Sequence, residues 1–220
     1  MGLFCFTTRA SARNIRLGMN RVQLPEKTYD GYIFDLDGTL VDSMPLHYRA
    51  WRQALAEAGA PYEAFLVEEF CSCGGKSAND VVRFLNEKYG LYMDAATTAD
   101  NKRRIYLELL DKEGVPPIKE TVEFVRSLGP NAPVAIATGS AIPGAERTLV
   151  SAGIRDLFDI IVTPDDVEHG KPAPDMFLLA ASKLGVDPSR CIVFEDAVPG
   201  ITAAKNAGMD CCVVGRSEKF

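Results

Sequence analysis

The sequence lacks any apolar run of the length that a membrane-spanning helix requires, so we expect no membrane insertion. It has only two histidines, His47 and His169, and its six cysteines show no spacing typical of a disulfide framework. The net charge of −6 argues against a surface for nucleic acid. These features predict a cytoplasmic protein with thiols in a reducing compartment, no nucleic-acid partner and, by default, a monomer.

What is present is an ordinary globular composition, with 47% hydrophobic and 25% charged residues in a chain of 220. A chain of this length can bury one sizeable core, alone or with a smaller companion domain. Residues 1–28 stand apart because they carry four arginines and no acidic residue before Glu26. We expect a disordered tail, or a natural start at Met19; import into an organelle is the alternative that this composition leaves open.

The second half of the chain alternates between short apolar runs and helical patterns. Strands are predicted at 134–137, 160–162, 192–194 and 211–214, and helices at 119–128, 144–152, 174–184 and 198–207. Such alternation is typical of a parallel sheet that is covered by helices on both faces. An earlier apolar run, Tyr32–Phe34, has the same character and is expected to join this sheet.

Between that first strand and the rest of the sheet, the pattern is helical throughout. Helices are predicted at about 45–58, 62–70, 78–88 and 94–112. The expected architecture is therefore an α/β fold with a Rossmann-like parallel-sheet core and an inserted helical cap domain. The core would comprise residues 29–44 and 115–220, and the cap residues 45–114.

The predicted first strand ends in two aspartates, Asp35 and Asp37, which are separated by one residue. In an extended chain such residues share a face, and adjacent carboxylates repel unless a cation or a proton lies between them. Carboxylates in this arrangement suit Mg²⁺. Gly38 permits a sharp turn beside a ligand, and Thr39 offers a hydroxyl and a backbone N–H. The alternative is a plain polar turn after a strand.

Polar residues also follow the next predicted strands. Thr138, Gly139 and Ser140 offer hydroxyls and backbone N–H groups of the kind that hold a phosphate, although a plain turn has the same composition. Lys171 is held beside Pro172, where a fixed ammonium can neutralise a phosphoryl group.

An adjacent acid pair, Glu195-Asp196, follows the strand predicted at 192–194. Carboxylates buried at a strand end need partners, and a cation supplies one. We therefore expect Asp196 to be a metal ligand. Glu195 would face the other way and orient Lys171 or a water molecule.

Together these motifs resemble those of the haloacid dehalogenase (HAD) superfamily of phosphohydrolases. Asp35–Ser43, Thr138, Lys171 and Glu195-Asp196 follow one another in the order and spacing of that family. The helical insertion after the first motif resembles the helical-cap subfamily. Residues 169–175 and 193–196 are similar to the branch that contains β-phosphoglucomutases and phosphatases of small sugar phosphates, and His47 fits that branch too.

The resemblance implies a Mg²⁺-dependent enzyme that works through an aspartyl phosphate. Asp35 would be the nucleophile, and Asp37 the general acid and base. The carboxylates of Asp35 and Asp196 and the backbone carbonyl of Asp37 would bind Mg²⁺. Lys171 and Thr138 would stabilise the phosphoryl oxygens. The remaining candidates for binding substrate or phosphate are Gly38, Thr39, Gly139, Ser140, His47 and Lys76.

The resemblance leaves open whether water or a sugar hydroxyl accepts the phosphoryl group. Mutases of the branch usually have valine where this chain has Thr39, and they usually have Ser-Ala where it has Thr138-Gly139. They also have an arginine in the cap loop, where the basic residue of this chain is Lys76. We therefore expect a phosphatase of small phosphorylated sugars or polyols, for example fructose 1-phosphate. The alternatives are a β-phosphoglucomutase that interconverts glucose 1-phosphate and glucose 6-phosphate, and a catalytically silent protein that binds a phosphorylated metabolite.

Overall fold

The computed structural model describes residues 27–61, 65–74 and 76–215, together with the backbone of Cys5–Phe6. The predicted N-terminal tail otherwise lies outside the described residues. Among the helices that are described, none combines the length and the apolar character needed to cross a membrane. Free thiols are found at Cys71, Cys73, Cys191, Cys211 and Cys212, of which all but the first are buried.

Among the described residues, six strands form one sheet; they are β1 (Cys5–Phe6), β2 (Gly31–Phe34), β3 (Val134–Ala137), β4 (Ile160–Val162), β5 (Cys191–Glu195) and β6 (Asp210–Val213). Their order across the sheet is β1-β6-β5-β2-β3-β4. Strands β2 to β6 run parallel, and β1 pairs antiparallel with β6 at the edge. The chain proceeds from β2 to β3 and β4 on one side and then crosses to β5 on the other side of β2. At such a reversal the carboxyl ends of neighbouring strands form the crevice in which α/β proteins bind ligands.

The α-helices of the described residues follow the predicted pattern closely. They are α1 (Met44–Glu57), α2 (Val67–Ser72), α3 (Ala78–Tyr89), α4 (Ala95–Glu113), α5 (Lys119–Ser127), α6 (Ile142–Ser151), α7 (Asp175–Leu184) and α8 (Val198–Asn206). The predicted strands are confirmed to within one residue, and the predicted helices to within two, with one exception. Differences of that size are normal at the ends of elements.

The exception is the helix predicted from about residue 62, which is wrong because α2 begins at Val67. Leu66 before it is extended, with φ −79° and ψ 166°. The carbonyl oxygen of Phe65 accepts a hydrogen bond from the Tyr48 hydroxyl at 3.1 Å, so a contact with α1 occupies the group that a helical turn would use. Residues 62–64 of the predicted helix lie outside the described residues.

Both faces of the sheet are buried. Phe34 and Phe194 lie on one face, with ring centroids 4.6 Å apart, and pack with residues of α1, α4, α5 and α6. Ile33 and Val193 lie on the other face and pack with residues of α7 and α8. Two-sided burial explains why these strands read as continuous apolar runs rather than as alternating ones.

Helices α1 to α4 form a helical segment between β2 and α5. Trp51, Val82 and Leu85 belong to a hydrophobic cluster within this segment. Other residues of the segment, such as Ala54 and Ile105, instead join the core on one face of the sheet. The division of the chain into a core and a separate cap domain at residues 45–114 therefore stays a prediction.

Candidate active site

The turn after β2 brings the first motif against Asp196. The backbone N–H of Asp35 donates to the Phe194 carbonyl of β5 at 2.9 Å. Gly38 then has a φ of +91°, and its N–H donates to the Val41 carbonyl at 2.8 Å. A Cβ atom at position 38 would lie 2.6 Å from Oδ2 of Asp196. Both the positive φ and this close approach require glycine here.

A buried lysine joins Asp35 to Glu195. Nζ of Lys171 donates to Oδ1 of Asp35 at 2.6 Å and to Oε1 of Glu195 at 2.8 Å, and the lysine side chain has no solvent exposure. The other carboxylate oxygen of Glu195 accepts the backbone N–H of Ala197 at 2.7 Å. The contact that Glu195 needs in order to orient Lys171 is therefore present.

The charges in this cluster act on one another strongly. Burial raises the pKa of Asp35 to about 7; Lys171 opposes this effect, and the carboxylates of Glu195 and Asp37 add to it. Burial acts to lower the pKa of Lys171, but its two carboxylate partners outweigh burial and hold that pKa above its ordinary value. The protonated form of Lys171 is therefore favoured, and burial is the main cause of the raised pKa of Asp35.

Asp37 has a different setting. Oδ1 of Asp37 accepts a hydrogen bond from the Ser43 hydroxyl at 2.6 Å and lies 3.0 Å from Nε2 of His47, while Oδ2 accepts the Ser140 hydroxyl at 2.7 Å. Burial acts to raise the pKa of Asp37, but attraction to His47 and these hydrogen bonds outweigh it, so the pKa lies below its ordinary value. Two carboxylates with such unequal surroundings are suited to different chemical roles.

Lys102 and Tyr106 of α4 complete the surroundings of His47, and both are missing from the residues predicted above. Nζ of Lys102 lies 2.6 Å from Nδ1 of His47, and the Tyr106 ring stacks on the imidazole with centroids 3.9 Å apart. Burial and Lys102 lower the pKa of His47, and Asp37 opposes them. Burial lowers the pKa of Lys102 to about 8. The contacts fit a chain in which Lys102 donates to His47, and His47 donates through Nε2–H to Asp37.

The sequence does contain a signal for Lys102. The buried residues of α4 are Thr98, Ala99, Lys102, Ile105, Tyr106 and Leu110. A lysine within such a stripe needs a polar partner, because burying an unpaired charge is costly. Ser43, a second residue that the prediction omitted, stands six positions after Asp37 at the end of the first motif.

A cavity of about 380 Å³ brings most of the predicted site residues together. The predicted residues that line it are Asp35, Asp37, His47, Lys76, Thr138, Gly139, Ser140 and Asp196. Lys171 and Glu195 lie behind Asp35 rather than in the cavity wall. Thr39 is fully buried, and within the described part of the chain its hydroxyl oxygen has no hydrogen-bond partner. A role for Gly38 and Thr39 in binding phosphate stays a prediction.

The acidic end of the cavity fits Mg²⁺ bound by few side chains. Among the described residues, no three His, Cys, Asp or Glu side chains form a cluster that would hold a metal by themselves. The predicted ligands are instead two carboxylates, Asp35 and Asp196, and the backbone carbonyl of Asp37. Mg²⁺ is commonly bound by one or two carboxylates and keeps several waters. Burial and the neighbouring carboxylates of Glu195 and Asp37 raise the pKa of Asp35, and a cation bound by Asp35 would lower it.

Comparison with known proteins identifies the family. A model of haloacid dehalogenase-like hydrolases matches residues 29–208, which is most of the chain. The chain belongs to this family. It is 38% identical over 182 residues to the fructose-1-phosphate phosphatase YqaB of Escherichia coli (strain K12), covering 83% of this chain and 94% of that protein.

Two further relatives show the range of the HAD hydrolases that this chain resembles. The chain is 32% identical over 182 residues to a phosphorylated carbohydrates phosphatase of Thermotoga maritima, with 82% of each chain covered. The crystal structure of a β-phosphoglucomutase from Clostridium difficile matches with a TM-score of 0.67 and 30% identity, over 84% of this chain and 83% of that one. The α/β fold and the enzyme class are thus confirmed, and the chain is a phosphatase of the HAD hydrolase family.

Proposed function

We propose that this HAD hydrolase is a Mg²⁺-dependent phosphatase that releases inorganic phosphate from small phosphorylated sugars or polyols, fructose 1-phosphate among them. The observation that carries the proposal is the unequal setting of two aspartates on one cavity. Asp35 contacts the buried ammonium of Lys171, whereas Asp37 contacts hydroxyl and imidazole groups. The names of the Escherichia coli and Thermotoga maritima relatives support the substrate class.

In the first proposed step, a carboxylate oxygen of Asp35 attacks the phosphorus of the ester. A bond forms between that oxygen and phosphorus, and the bond between phosphorus and the leaving oxygen breaks. The leaving oxygen takes the electron pair and receives a proton through Asp37; because the lowered pKa of Asp37 keeps it ionised before substrate binds, that proton enters with a singly protonated phosphate monoester. Lys171, 2.6 Å from Asp35, offsets the negative charge on this side of the phosphoryl group.

In the second proposed step, water attacks the phosphorus of the aspartyl phosphate. Asp37 accepts a proton from the water, the bond between Asp35 and phosphorus breaks, and inorganic phosphate leaves. Hydrogen bonds from Ser43, His47 and Ser140 hold Asp37 where it can give and then take this proton. When bound by Asp35, Asp196 and the Asp37 carbonyl, Mg²⁺ would supply positive charge to the carboxylates and to the phosphoryl oxygens.

The size of the cavity and the composition of the cap loop support a substrate with one phosphate. The cavity volume of about 380 Å³ is at the small end of the range for ligand sites. The cap loop 74–80 contains no arginine, and its one lysine, Lys76, lies with its ammonium 5.1 Å from the centre of the Phe84 ring. A second phosphate, which a mutase must hold at the far end of its substrate, would lack an arginine in this loop to bind it.

The test is to incubate the protein with Mg²⁺ and either fructose 1-phosphate or β-glucose 1-phosphate, and to measure inorganic phosphate and glucose 6-phosphate together. We expect phosphate release that stops when EDTA removes the metal and that is lost in Asp35→Asn, a near-isosteric change that keeps the fold. Formation of glucose 6-phosphate without phosphate release would instead establish the mutase alternative. Full activity in Asp35→Asn would contradict the proposed mechanism.

A further inference from the structure

Tyr106 of α4 lies flat against the imidazole of His47. The centres of the two rings are 3.9 Å apart, the planes differ by only 3°, and both side chains are buried. Asp37 contacts Nε2 of the imidazole and Lys102 contacts Nδ1, so both ring nitrogens are engaged while the tyrosine covers one face. Because protein interiors are close-packed, the stacked tyrosine restricts the imidazole to the plane that contains both contacts.

The hydroxyl of Tyr106 joins α4 to α6. It forms a hydrogen bond with Oγ1 of Thr148 at 2.8 Å, and Thr148 is also buried. Burial raises the pKa of Tyr106 far above its ordinary value, Asp37 adds to this effect, and the bond to Thr148 opposes it. The hydroxyl is therefore uncharged and keeps its proton. Thr148 is not among the residues that line the cavity, so this bond fixes the tyrosine from outside the cavity wall.

Packing alone does not require a tyrosine at this position. Tyr106 belongs to the hydrophobic core on one face of the sheet, where phenylalanine would bury the same ring without a hydroxyl that needs a partner. The tyrosine instead contacts α6 through its hydroxyl and His47 through its ring. It therefore connects a helix that covers the sheet with the imidazole that contacts Asp37.

We propose that Tyr106 is a positioning residue for the proton transfer through Asp37. This inference rests on the proposed function. The bond to Thr148 holds the tyrosine against α6, the tyrosine ring holds His47 in its plane, and His47 holds the Asp37 carboxylate where the leaving oxygen receives its proton. If this bond is lost, a leaving group that must be protonated leaves more slowly, whereas one that needs no proton is unaffected.

The test compares two leaving groups in a single turnover with enzyme in excess, because release of the leaving group then reports only the first proposed step. The alkoxide of fructose must be protonated as it leaves, whereas 4-nitrophenolate is stable as an anion. Tyr106→Phe and Thr148→Val each remove the same hydrogen bond. For each variant we expect fructose to leave fructose 1-phosphate about fivefold more slowly, the effect of one neutral hydrogen bond. Release of 4-nitrophenolate from 4-nitrophenyl phosphate should change by less than about twofold.

The double variant and a matched control separate this role from a general loss of packing. Since the two substitutions remove one and the same bond, the double variant should be no slower than the slower single variant. Tyr48→Phe removes a tyrosine hydroxyl that donates to the Phe65 carbonyl elsewhere in the helical segment. Tyr48 does not line the cavity, so both release rates should stay at their wild-type values in this control.

The outcomes distinguish a failure of this inference from a failure of the proposed function. Equal slowing for both leaving groups, no slowing for either, or losses that multiply in the double variant would overturn the role of Tyr106. Wild-type protein that releases 4-nitrophenolate but does not hydrolyse any sugar or polyol phosphate would instead overturn the proposed function, and this inference with it.

Discussion

Replacing Gly200 is expected to lower kcat because the Glu195 side chain occupies the space beside it. A Cβ atom at position 200 would lie 1.8 Å from Oε1 and 2.1 Å from Cδ of Glu195. An ordinary contact requires about 3.5 Å, so the carboxylate would have to move by roughly 1.7 Å. Such a shift breaks the 2.8 Å hydrogen bond to Lys171. Gly200→Ala therefore acts on Asp35 indirectly, through Glu195 and then Lys171.

The size of the effect follows from the bond that is lost. A hydrogen bond to a charged group contributes about 1.5–3 kcal/mol. If Lys171 needs that bond to stay in place beside Asp35, kcat should fall roughly 10- to 150-fold. The assay is phosphate release from fructose 1-phosphate at saturating Mg²⁺. Lys205→Ala, an exposed change on the same helix, should retain wild-type kcat.

A double-mutant cycle tests the route of this effect. Glu195→Ala removes the carboxylate that a side chain at position 200 would displace, and it lowers kcat by itself. In that background Gly200→Ala has nothing to push aside, so we expect a further change of less than about twofold. If the two losses instead multiply, Gly200 does not act through Glu195 and the reasoning is refuted. Urea denaturation of each variant checks that the compared proteins are folded.

Three further predictions concern other parts of the site. Lys102→Met should raise the pKa of His47, because it removes a nearby positive charge. A ¹H NMR titration measures this pKa, and the His169→Gln variant identifies which imidazole signal belongs to the other histidine. An unchanged pKa of His47 would contradict the contact with Lys102. Saturating Mg²⁺ should raise the melting temperature by roughly 5 °C or more, since ligand at 100 times its Kd contributes about 2.7 kcal/mol. Asp196→Asn should lose most of that increase, and an undiminished increase would show that the metal binds elsewhere. Lys76→Met should change KM for some sugar phosphates much more than for others, because Lys76 lines the cavity. A uniform change in KM across a panel of substrates would argue against substrate selection by the loop that contains Lys76.

The strand-end residues could be predicted from the sequence because their positions depend on local structure and on one topological rule. Asp35, Thr138 and Glu195 each end or follow an apolar run, and parallel strands bring such ends to one edge of the sheet. The loop residue Lys171 was recognisable from its neighbouring prolines and from the family motif. These predictions needed no knowledge of how the helices pack.

The contacts of His47 could not be predicted in the same way. Lys102 lies 55 residues further along the chain, and the two meet only because α1 packs against α4. Apolar periodicity indicates which face of each helix is buried, but it does not state which helices face each other. The start of α2 escaped prediction for a related reason, since Phe65 has a helical apolar spacing but bonds through its carbonyl to Tyr48.

The two aspartates obtain their surroundings from different parts of the fold. Asp35 contacts Lys171 from a loop at the edge of the sheet. Asp37 instead contacts His47 of α1, and His47 contacts Lys102 of α4. Both helices belong to the segment that also lines the cavity. The segment can therefore acquire new side chains for a new leaving group while the groups around the phosphate stay as they are. Under the proposed mechanism, proton transfer to the leaving oxygen and recognition of the leaving group would depend on the same helices, so a change in substrate preference and a change in the position of Asp37 would be coupled through helix packing.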